Sequence, residues 1–327
     1  VSVTITDSYS PSAYIYSTTP SGWIINNNQA SGNLSNGVAT VSIFDATNID
    51  TVNVALISFP VLDNYDTALI VFNQEANAAV YNITPSYPAA GETDILILDI
   101  YINNPALSDT ITTITINSLN TNDSDIYLVK LFVDSGAVGF NGSNIDSLCA
   151  SAKFNNGTIS FTNLNISESN GVRIFITYDL DTQITDNNYL DAYIPVNGIT
   201  LATAGQITNE ILNSGGGLSQ IRINASQLKI TPSIASTNAG VSATKTISAI
   251  DKYGNIDKDY SNQISISKTG SAFFVSTTLS SYSGIPAGPL KGYLINGEAN
   301  FVINNNIGEI ITLTATSVGI SETTAIH

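Results

Sequence analysis

The clearest pattern along the chain is a period of two between apolar and polar positions. At the N-terminus Val1, Val3 and Ile5 alternate with Ser and Thr residues. Longer runs rich in β-branched residues occur at residues 95–102, 126–133, 172–178 and 221–230. Side chains of a strand point to opposite faces in turn, whereas a helix repeats every 3.6 residues, and no long stretch shows that second period. The pattern predicts an all-β protein.

Asn-Gly pairs interrupt the apolar runs. They begin at Asn36, Asn141, Asn156, Asn170, Asn197 and Asn296. Asn and Gly tolerate the positive φ angles that both central residues of a type I′ turn require. The clearest pair, Asn296-Gly297, lies between residues 293–295 and 299–303 and predicts a β-hairpin.

Glycine and proline divide the chain into parts. Ser214-Gly215-Gly216-Gly217 is typical of a flexible connector, and Pro85 and Pro88 mark a softer boundary. We therefore expect tandem antiparallel β-sandwich domains preceded by an extended N-terminal strand. The expected parts are a free strand at residues 1–18, an N-terminal β region at 19–80, a first sandwich at 81–213, a linker at 214–220 and a second sandwich at 221–327.

Charge is scarce and unevenly distributed. The chain has 26 acidic and 10 basic residues, a net charge of −16, and 11% charged residues. Residues 1–129 contain no Lys or Arg; residues 1–221 carry a net charge of −17, and residues 222–327 carry +1. Binding to phosphates needs clustered Lys and Arg, so the composition excludes a nucleic-acid partner.

Other features of the composition favour a chain that works outside the cell. It contains no Met, and its start at Val1 is expected to reflect removal of a secretory leader. Mean hydropathy is +0.16, but no run approaches the roughly 18 apolar residues that span a bilayer, so no membrane span is predicted. The one cysteine, Cys149, cannot form an intramolecular disulfide, and its flanks predict a small buried side chain.

The residues needed for most enzyme chemistry are missing. Histidine occurs once, at His327, which excludes the usual Ser-His-Asp and Cys-His sites as well as His-based metal sites. The sequence has no phosphate-binding loop and no dinucleotide fingerprint. We therefore predict that the chain is not an enzyme and has no catalytic residues.

Calcium is the one cofactor that the side chains suggest, because its ligands are hard oxygens. Two oxygen-rich loops, at residues 120–125 and 179–188, supply the candidate ligands. These are Asp123, Asp125, Asp179 and Asp181. Neither loop has the Gly and bidentate Glu of an EF-hand, and Asp and Asn also populate turns for their own hydrogen bonds. The simpler expectation is no cofactor, with calcium as the alternative.

N-glycosylation sequons provide candidate modification sites. They begin at Asn33, Asn82, Asn122, Asn141, Asn156, Asn165 and Asn224. A chain this rich in Asn, Ser and Thr contains about that many by chance, so they matter only if the chain is secreted.

Two parts of the chain resemble known families. Residues 228–320 resemble bacterial immunoglobulin-like domains of the invasin and intimin type. The matching stretches are Ala249-Ile250-Asp251-Lys252-Tyr253-Gly254-Asn255, Asn296-Gly297-Glu298-Ala299-Asn300-Phe301 and Ile311-Thr312-Leu313-Thr314-Ala315. The resemblance implies an Ig-like β-sandwich in which the Asp-x-Tyr-Gly-Asn segment is a structural turn, and it carries over no functional residue.

Residues 82–204 resemble a repeat domain of secreted archaeal and bacterial surface proteins. The matching stretches are Ala89-Ala90-Gly91-Glu92-Thr93, the run from Ile126 to Asp134, and Asn170-Gly171 with the run from Val172 to Leu180. Such domains are spacers and wall components, so the resemblance implies a structural role at the cell surface.

The favoured function is a structural subunit of an extracellular filament or surface layer. In its sharper form the subunits join head to tail, and the N-terminal strand of one copy completes an open sheet in the next, with Val1, Val3 and Ile5 filling pockets. This organisation is similar to that of archaeal threads and chaperone–usher pili. The alternative is that residues 1–6 pair within their own domain.

A second class of function is a surface adhesin or glycan-binding stalk. Sugar rings would stack on aromatic side chains, and the candidates are Trp23, Tyr9, Tyr14 and Tyr16. The expected partners are therefore other copies of the chain, with other surface proteins and glycans as further possibilities.

Overall fold

The computed structural model describes residues 77–326 almost continuously, with gaps at 104–108, 137, 168–170, 203–204, 208, 213–217 and 234–235. Before residue 77 it describes only the backbone of strands β1 to β7. These are Ser2–Thr6, Ala13–Thr19, Ile24–Asn26, Gln29–Asn33, Thr40–Asp45, Thr51–Phe59 and Asp66–Val71. No helix in the described ranges is long and apolar enough to cross a membrane.

Strand β1 is the central strand of an antiparallel sheet with the order β3-β4-β1-β6-β7. It pairs with β4 from Ser2↔Asn33 to Thr6↔Gln29, and its other edge pairs with β6 along the same length. Strands β2 and β5 form a separate pair. The strand predicted to join subunits is therefore hydrogen-bonded on both edges within its own chain, whereas the side chains of Val1, Val3 and Ile5 lie outside the described residues.

The first sandwich begins at residue 77 and is built from strands β8 to β20, with a short 3-10 helix at Asp123–Asp125. The strands are Asn77–Val80, Ile95–Asn103, Thr110–Ser118, Ile126–Val133, Ser147–Ala152, Thr158–Ser167, Val172–Leu180, Tyr189–Leu190, Ala192–Ile194, Ile199–Leu201, Gly205–Ile207, Ile211–Leu212 and Ser219–Gln220. One sheet has the order β12-β11-β14-β9-β8. The other has the order β18-β17-β10-β16-β19, with β13 also paired to β10.

Strand β14 shows why some runs are almost continuously apolar. Its residues Ile174, Ile176 and Tyr178 point into the core between the two sheets. On its opposite face Phe175 is also fully buried, because the ring of Phe140 covers it at 5.3 Å between centroids. A strand buried on both faces loses the alternation of a half-buried strand.

The second sandwich contains strands β21 to β29. They are Gln227–Thr231, Ala243–Ile250, Ile264–Lys268, Phe273–Thr277, Ser280–Ser283, Leu290–Tyr293, Glu298–Asn304, Ile311–Ser317 and Ile320–Ile326. They form sheets with the orders β21-β22-β27-β24 and β25-β26-β23-β28-β29. Phe274 and Phe301 meet edge to face in the core, with 6.0 Å between ring centroids.

The all-β prediction is confirmed, and three of the four longer runs are single strands. Residues 95–102, 126–133 and 172–178 lie in β9, β11 and β14. The run at 221–230 does not form one strand: only its second half belongs to β21, because residues 221–226 bond to both sandwiches. The predicted linker at 214–220 lies mainly outside the described residues, but Ser219–Gln220 pairs with β15, so the chain leaves the first sandwich only after Ile223.

Two Asn-Gly turns have the predicted backbone but not the predicted strand partners. At Asn156-Gly157 and Asn296-Gly297 both residues have positive φ angles between 51° and 79°. A single bridge, Ile295↔Glu298, closes the second turn, whereas the strands on either side, β26 and β27, belong to opposite sheets. The hairpin prediction is therefore right for the turn and wrong for the strands, since the turn carries the chain across the sandwich.

Candidate functional site at the junction of the two sandwiches

Residues 221–226 connect the sandwiches and are held by both of them. Ile221 and Ile223 belong to the first core, and the backbone N–H of Ile221 donates to the carbonyl of Asn188 at 2.8 Å. Two residues later Ala225 N–H donates to Asp257 Oδ2 at 2.8 Å, and Ser226 N–H donates to the carbonyl of Ile250 at 2.9 Å. Hydrogen bonds to both sandwiches therefore hold this connecting segment in place.

Asn255 joins the loop at residues 251–259 to the loop at residues 181–188 of the first sandwich. Its Oδ1 accepts a hydrogen bond from Ile184 N–H at 3.0 Å, and its Nδ2 donates to the carbonyl of Thr182 at 2.8 Å. Asp251 orients this amide, because its carboxylate accepts from both the N–H and the Nδ2 of Asn255, each at 2.9 Å. The Asp-x-Tyr-Gly-Asn segment is thus a turn, as the resemblance implied, and it also bridges two domains.

Three carboxylates meet beside this bridge. Asp186 comes from the loop at 181–188, and Asp257 and Asp259 come from the loop at 251–259; one oxygen of each lies within 4.8 Å of the others. Asp186 and Asp257 are 1% and 6% exposed, whereas Asp259 is exposed. Backbone N–H groups of Ile223 and Lys258 donate to the two oxygens of Asp186 at 2.7 and 2.8 Å. The group spans both sandwiches and is oriented by the backbone.

The electrostatics of this group are unfavourable. Burial raises the pKa of Asp257 to about 6, and the nearby carboxylates of Asp259 and Asp186 shift that pKa in the same direction, against the hydrogen bond from Ala225. Burial also raises the pKa of Asp125, which holds the other side of the 181–188 loop by accepting from Thr185 N–H at 3.0 Å. The junction therefore concentrates negative charge where water is scarce.

The four carboxylates predicted as calcium ligands do not form one group. Asp123 accepts from Ser118 Oγ and Gly157 N–H, and Asp125 accepts from Thr185 and Asn188. Asp179 is buried and pairs with Lys130 at 2.8 Å. Asp181 accepts from the N–H groups of the two residues that follow it. Each carboxylate is bound by hydrogen bonds or an ion pair within the first sandwich.

Sequence reasoning named none of the three junction carboxylates as a ligand. Asp186 lies in the predicted oxygen-rich loop at 179–188, but nothing in the sequence shows that this loop faces Asp257 and Asp259. The available local signal was the Asp257-Lys258-Asp259 spacing directly after the Ig-like turn. This spacing alone does not predict a metal site, because the third carboxylate is brought to it only by the fold.

All six sequon asparagines with described side chains lie on the surface. The exposed residues are Asn82, Asn122, Asn141, Asn156, Asn165 and Asn224. Asn33 lies in β4, and its side chain is outside the described residues. Accessibility, the first requirement for a glycan, is thus met at six positions.

The remaining sequence predictions have mixed outcomes. Cys149 is exposed rather than buried, because it lies at a register shift of edge strand β12, where Leu148 and Ala150 pair with consecutive residues of β11 and Cys149 pairs with none; its Sγ donates to the carbonyl of Ser147 at 3.6 Å. The candidate stacking residues Trp23, Tyr9, Tyr14 and Tyr16 have no described side chains, so sugar stacking stays a prediction.

No protein-family model and no curated protein matches the chain. Among solved structures, it is similar to a beta-glycosidase from Bacteroides vulgatus, with 11% identity and a TM-score of 0.30 over 78% of this chain and 25% of that one. It is also similar to invasin, a bacterial integrin-binding protein, with 10% identity and a TM-score of 0.29 over 100% of this chain and 52% of that one. Domains 4 and 5 of the S-layer protein SbsC give 12% identity and a TM-score of 0.24 over 43% and 65% of the two chains.

The chain spans about a quarter of the length of the glycosidase. β-Sandwich domains occur in proteins of many functions, and similarities at this level identify neither a family nor an activity.

Proposed function

We propose that the chain is a structural subunit of an extracellular surface assembly, a filament or a surface layer, and not an enzyme. The observation that carries the proposal is the hydrogen-bonded junction, which fixes two β-sandwiches end to end through backbone and side-chain contacts from both. A junction that is fixed by hydrogen bonds suits a spacer that bears mechanical load. The sparse charge, the lack of Met and the single terminal His327 agree with a structural role outside the cell.

A surface suited to association lies at the end of the second sandwich away from the junction. Strand β22 begins there at Ala243 and reaches the junction at Ile250. The end carries an open apolar groove of about 290 Å³, where Val241, Ile307 and Ile310 are between 52% and 61% exposed. Grouped exposed apolar side chains are typical of contact surfaces between proteins. The groove supports a head-to-tail arrangement of copies.

The N-terminal sheet offers a way to link copies. Strand β1 lies between β4 and β6, so its removal would leave two unpaired strand edges facing each other. We propose that β1 of a neighbouring copy takes this place in the assembly, as in donor-strand exchange. Because the arriving strand has the same sequence, it restores the same backbone hydrogen bonds and the same register.

A pair of disulfide locks tests the exchange. In a Cys149→Ser background, Ile5→Cys with Ala30→Cys ties β1 to its own chain, since these residues are register partners. The control pair, Val54→Cys with Ala68→Cys, ties β6 to β7, which do not separate in the exchange. Directly opposed residues of antiparallel strands lie about 4.5–5.5 Å apart, which suits a disulfide.

The readout is negative-stain microscopy with analytical sedimentation. The β1 lock should keep the protein monomeric until a reductant is added, whereas the control should assemble in both conditions. Assembly of the β1 lock after it has been oxidised and isolated as a monomer would overturn strand exchange. If the unlocked protein stays monomeric in all conditions and binds on a glycan array, the adhesin function replaces the assembly.

A further inference from the structure

We propose that Asp186, Asp257 and Asp259 bind one calcium ion that ties the second sandwich to the first. The three carboxylates come from two loops on opposite sides of the junction. Their oxygens lie within 4.8 Å of one another, and oxygens bound to one calcium at about 2.4 Å can be no farther apart than that.

An unsatisfied buried oxygen points to the same place. Asp257 is 94% buried, and its Oδ2 accepts from Ala225 N–H at 2.8 Å. Its Oδ1 accepts no hydrogen bond from any described donor, although it is buried. An oxygen of Asp259 lies within 4.8 Å of an oxygen of Asp257. Two ionised carboxylates this close repel each other, and a proton or a cation between them relieves the repulsion, because neither ionised group can donate.

The charges around the group favour a cation. The acidic groups facing it are Asp186, Asp257, Asp259 and, behind the 181–188 loop, Asp125. The nearby base is Lys258, which is exposed and directs its Nζ to the carbonyl of Asp186 at 3.2 Å. One ammonium leaves most of this negative charge unbalanced, and a divalent ion would offset two further units.

The ligand chemistry selects calcium. All three donors are carboxylate oxygens, which are hard ligands, and the described residues at the group include no His or Cys. The N–H groups of Ile223, Lys258 and Ala225 fix two of the carboxylates before any ion arrives. Calcium accepts such irregular sites with further oxygens from water, whereas magnesium demands near-ideal octahedral geometry. The sequence-predicted ligands Asp123, Asp125, Asp179 and Asp181 are not needed.

Calcium titration of the chelator-treated chain of residues 1–327 at pH 7.5 tests the site. Melting temperature should rise with calcium and saturate, and calorimetric titration should give a stoichiometry of one. Magnesium should need at least about tenfold more ion, and terbium should give luminescence sensitised by nearby tyrosines such as Tyr260. Absence of any calcium-dependent shift or heat in the unaltered protein would overturn the proposal.

Two variants separate a calcium ligand from a structural carboxylate. Asp257→Asn should abolish the calcium response while raising the melting temperature of the metal-free protein, because the amide removes the repulsion and can donate to Asp259. The matched control is Asp123→Asn, the same change at a sequence-predicted ligand, which should keep the full response. A full calcium response in Asp257→Asn would overturn the proposal, as would its loss in Asp123→Asn.

The pH dependence distinguishes the cation from a shared proton. The pKa of Asp257 is about 6 in the fold against 3.8 for an ordinary Asp, so the folded state binds the extra proton between those values. Metal-free protein should therefore gain stability as pH falls from about 6 to about 4. Calcium competes for the same oxygens, so its stabilising effect should be full at pH 7.5 and lost by about pH 4.5. An effect of calcium that is equal at both values would place the ion elsewhere.

Discussion

At the scale of single residues, two of the scarce cations of the first sandwich, Lys130 and Arg173, neutralise buried acids. Lys130, the first Lys or Arg in the chain, places its Nζ 2.7 Å from Asp94 and 2.8 Å from Asp179. Arg173 makes a two-pronged contact with Asp99, with both N···O distances at 2.6–2.7 Å. The sequence shows only that basic residues are scarce. The fold determines with which acidic residues they form ion pairs.

Replacing Lys130 should destabilise the protein strongly. The Lys130 side chain is 15% exposed and that of Asp179 is 8% exposed, so Lys130→Met leaves a buried carboxylate without its partner. We expect a loss of about 3 kcal/mol in the free energy of unfolding, measured by urea denaturation at pH 7. Lys153→Met is the control, because Lys153 is exposed over the ring of Tyr127 and should cost less than about 1 kcal/mol.

The same pair has a predictable dependence on pH. Burial lowers the pKa of Lys130, but its hydrogen bonds to Asp179 and Asp94 outweigh that effect and raise the pKa above its ordinary value. A raised pKa means that the contribution is fully present below pH 10.5 and is lost as pH rises beyond it. The difference in unfolding free energy between the protein and Lys130→Met should therefore shrink in strong alkali.

Site residues were less predictable than strands, for a physical reason. The hydrogen bonds of Asp181 come from the two residues that follow it and satisfy a turn, which is the explanation that sequence reasoning favoured, whereas Asp123 also accepts from the distant Gly157. The group of Asp186, Asp257 and Asp259 depends on two loops that meet only after both sandwiches form. The local sequence of either loop does not indicate that the two loops come into contact.

At the scale of elements, period and turn chemistry fixed the strands but not their partners. Residues 126–133 become β11 with the predicted bounds, because β-branched and aromatic residues favour a pleated, buried surface. The Asn296-Gly297 turn also forms as predicted. Its flanking strands nevertheless enter different sheets, since the choice between hairpin and crossing depends on the packing of the whole sandwich.

The Asn296-Gly297 turn should be intolerant of a side chain. In Gly297→Ala the new Cβ would lie 2.3 Å from the carbonyl oxygen of Asp257, at a φ of +79°. Gly319→Ala is the matched control, with φ at +75° and no atom within 4 Å. We expect about 1–2 kcal/mol for the control, from the backbone alone, and at least about 3 kcal/mol for Gly297→Ala, measured by thermal unfolding. Equal costs would mean that the close approach to Asp257 relaxes freely.

At the scale of the whole molecule, the charge of the chain bears on how copies meet. Each copy carries a net charge of −16, and all of the negative excess lies before residue 222. Copies of one sign repel, and salt shortens the range of that repulsion from about 30 Å at 0.01 M to about 10 Å at 0.1 M. Association through apolar and backbone contacts must overcome this repulsion.

The proposed assembly should therefore form more readily as salt increases. Sedimentation of the full chain at pH 7.5 should show more polymer in 0.3 M than in 0.02 M sodium chloride, with magnesium and calcium absent. The oxidised β1 lock should stay monomeric at both concentrations. Polymers that dissolve on addition of salt would show instead that attraction between opposite charges holds the copies together.

The order of strands in the first sandwich also constrains how the chain reaches its fold. Strand β14 is the shared neighbour of β9 and β11, and its register joins Tyr101 to Arg173 and Lys130 to Thr177. Until residues 172–180 are available, β9 and β11 have no partner between them, and their apolar side chains stay exposed to water. Closing contacts so distant along the chain is slow, and unpaired apolar strands are prone to aggregate in the interval. A chain of this design depends on rapid supply of β14, or on a chaperone that shields β9 and β11 while they wait.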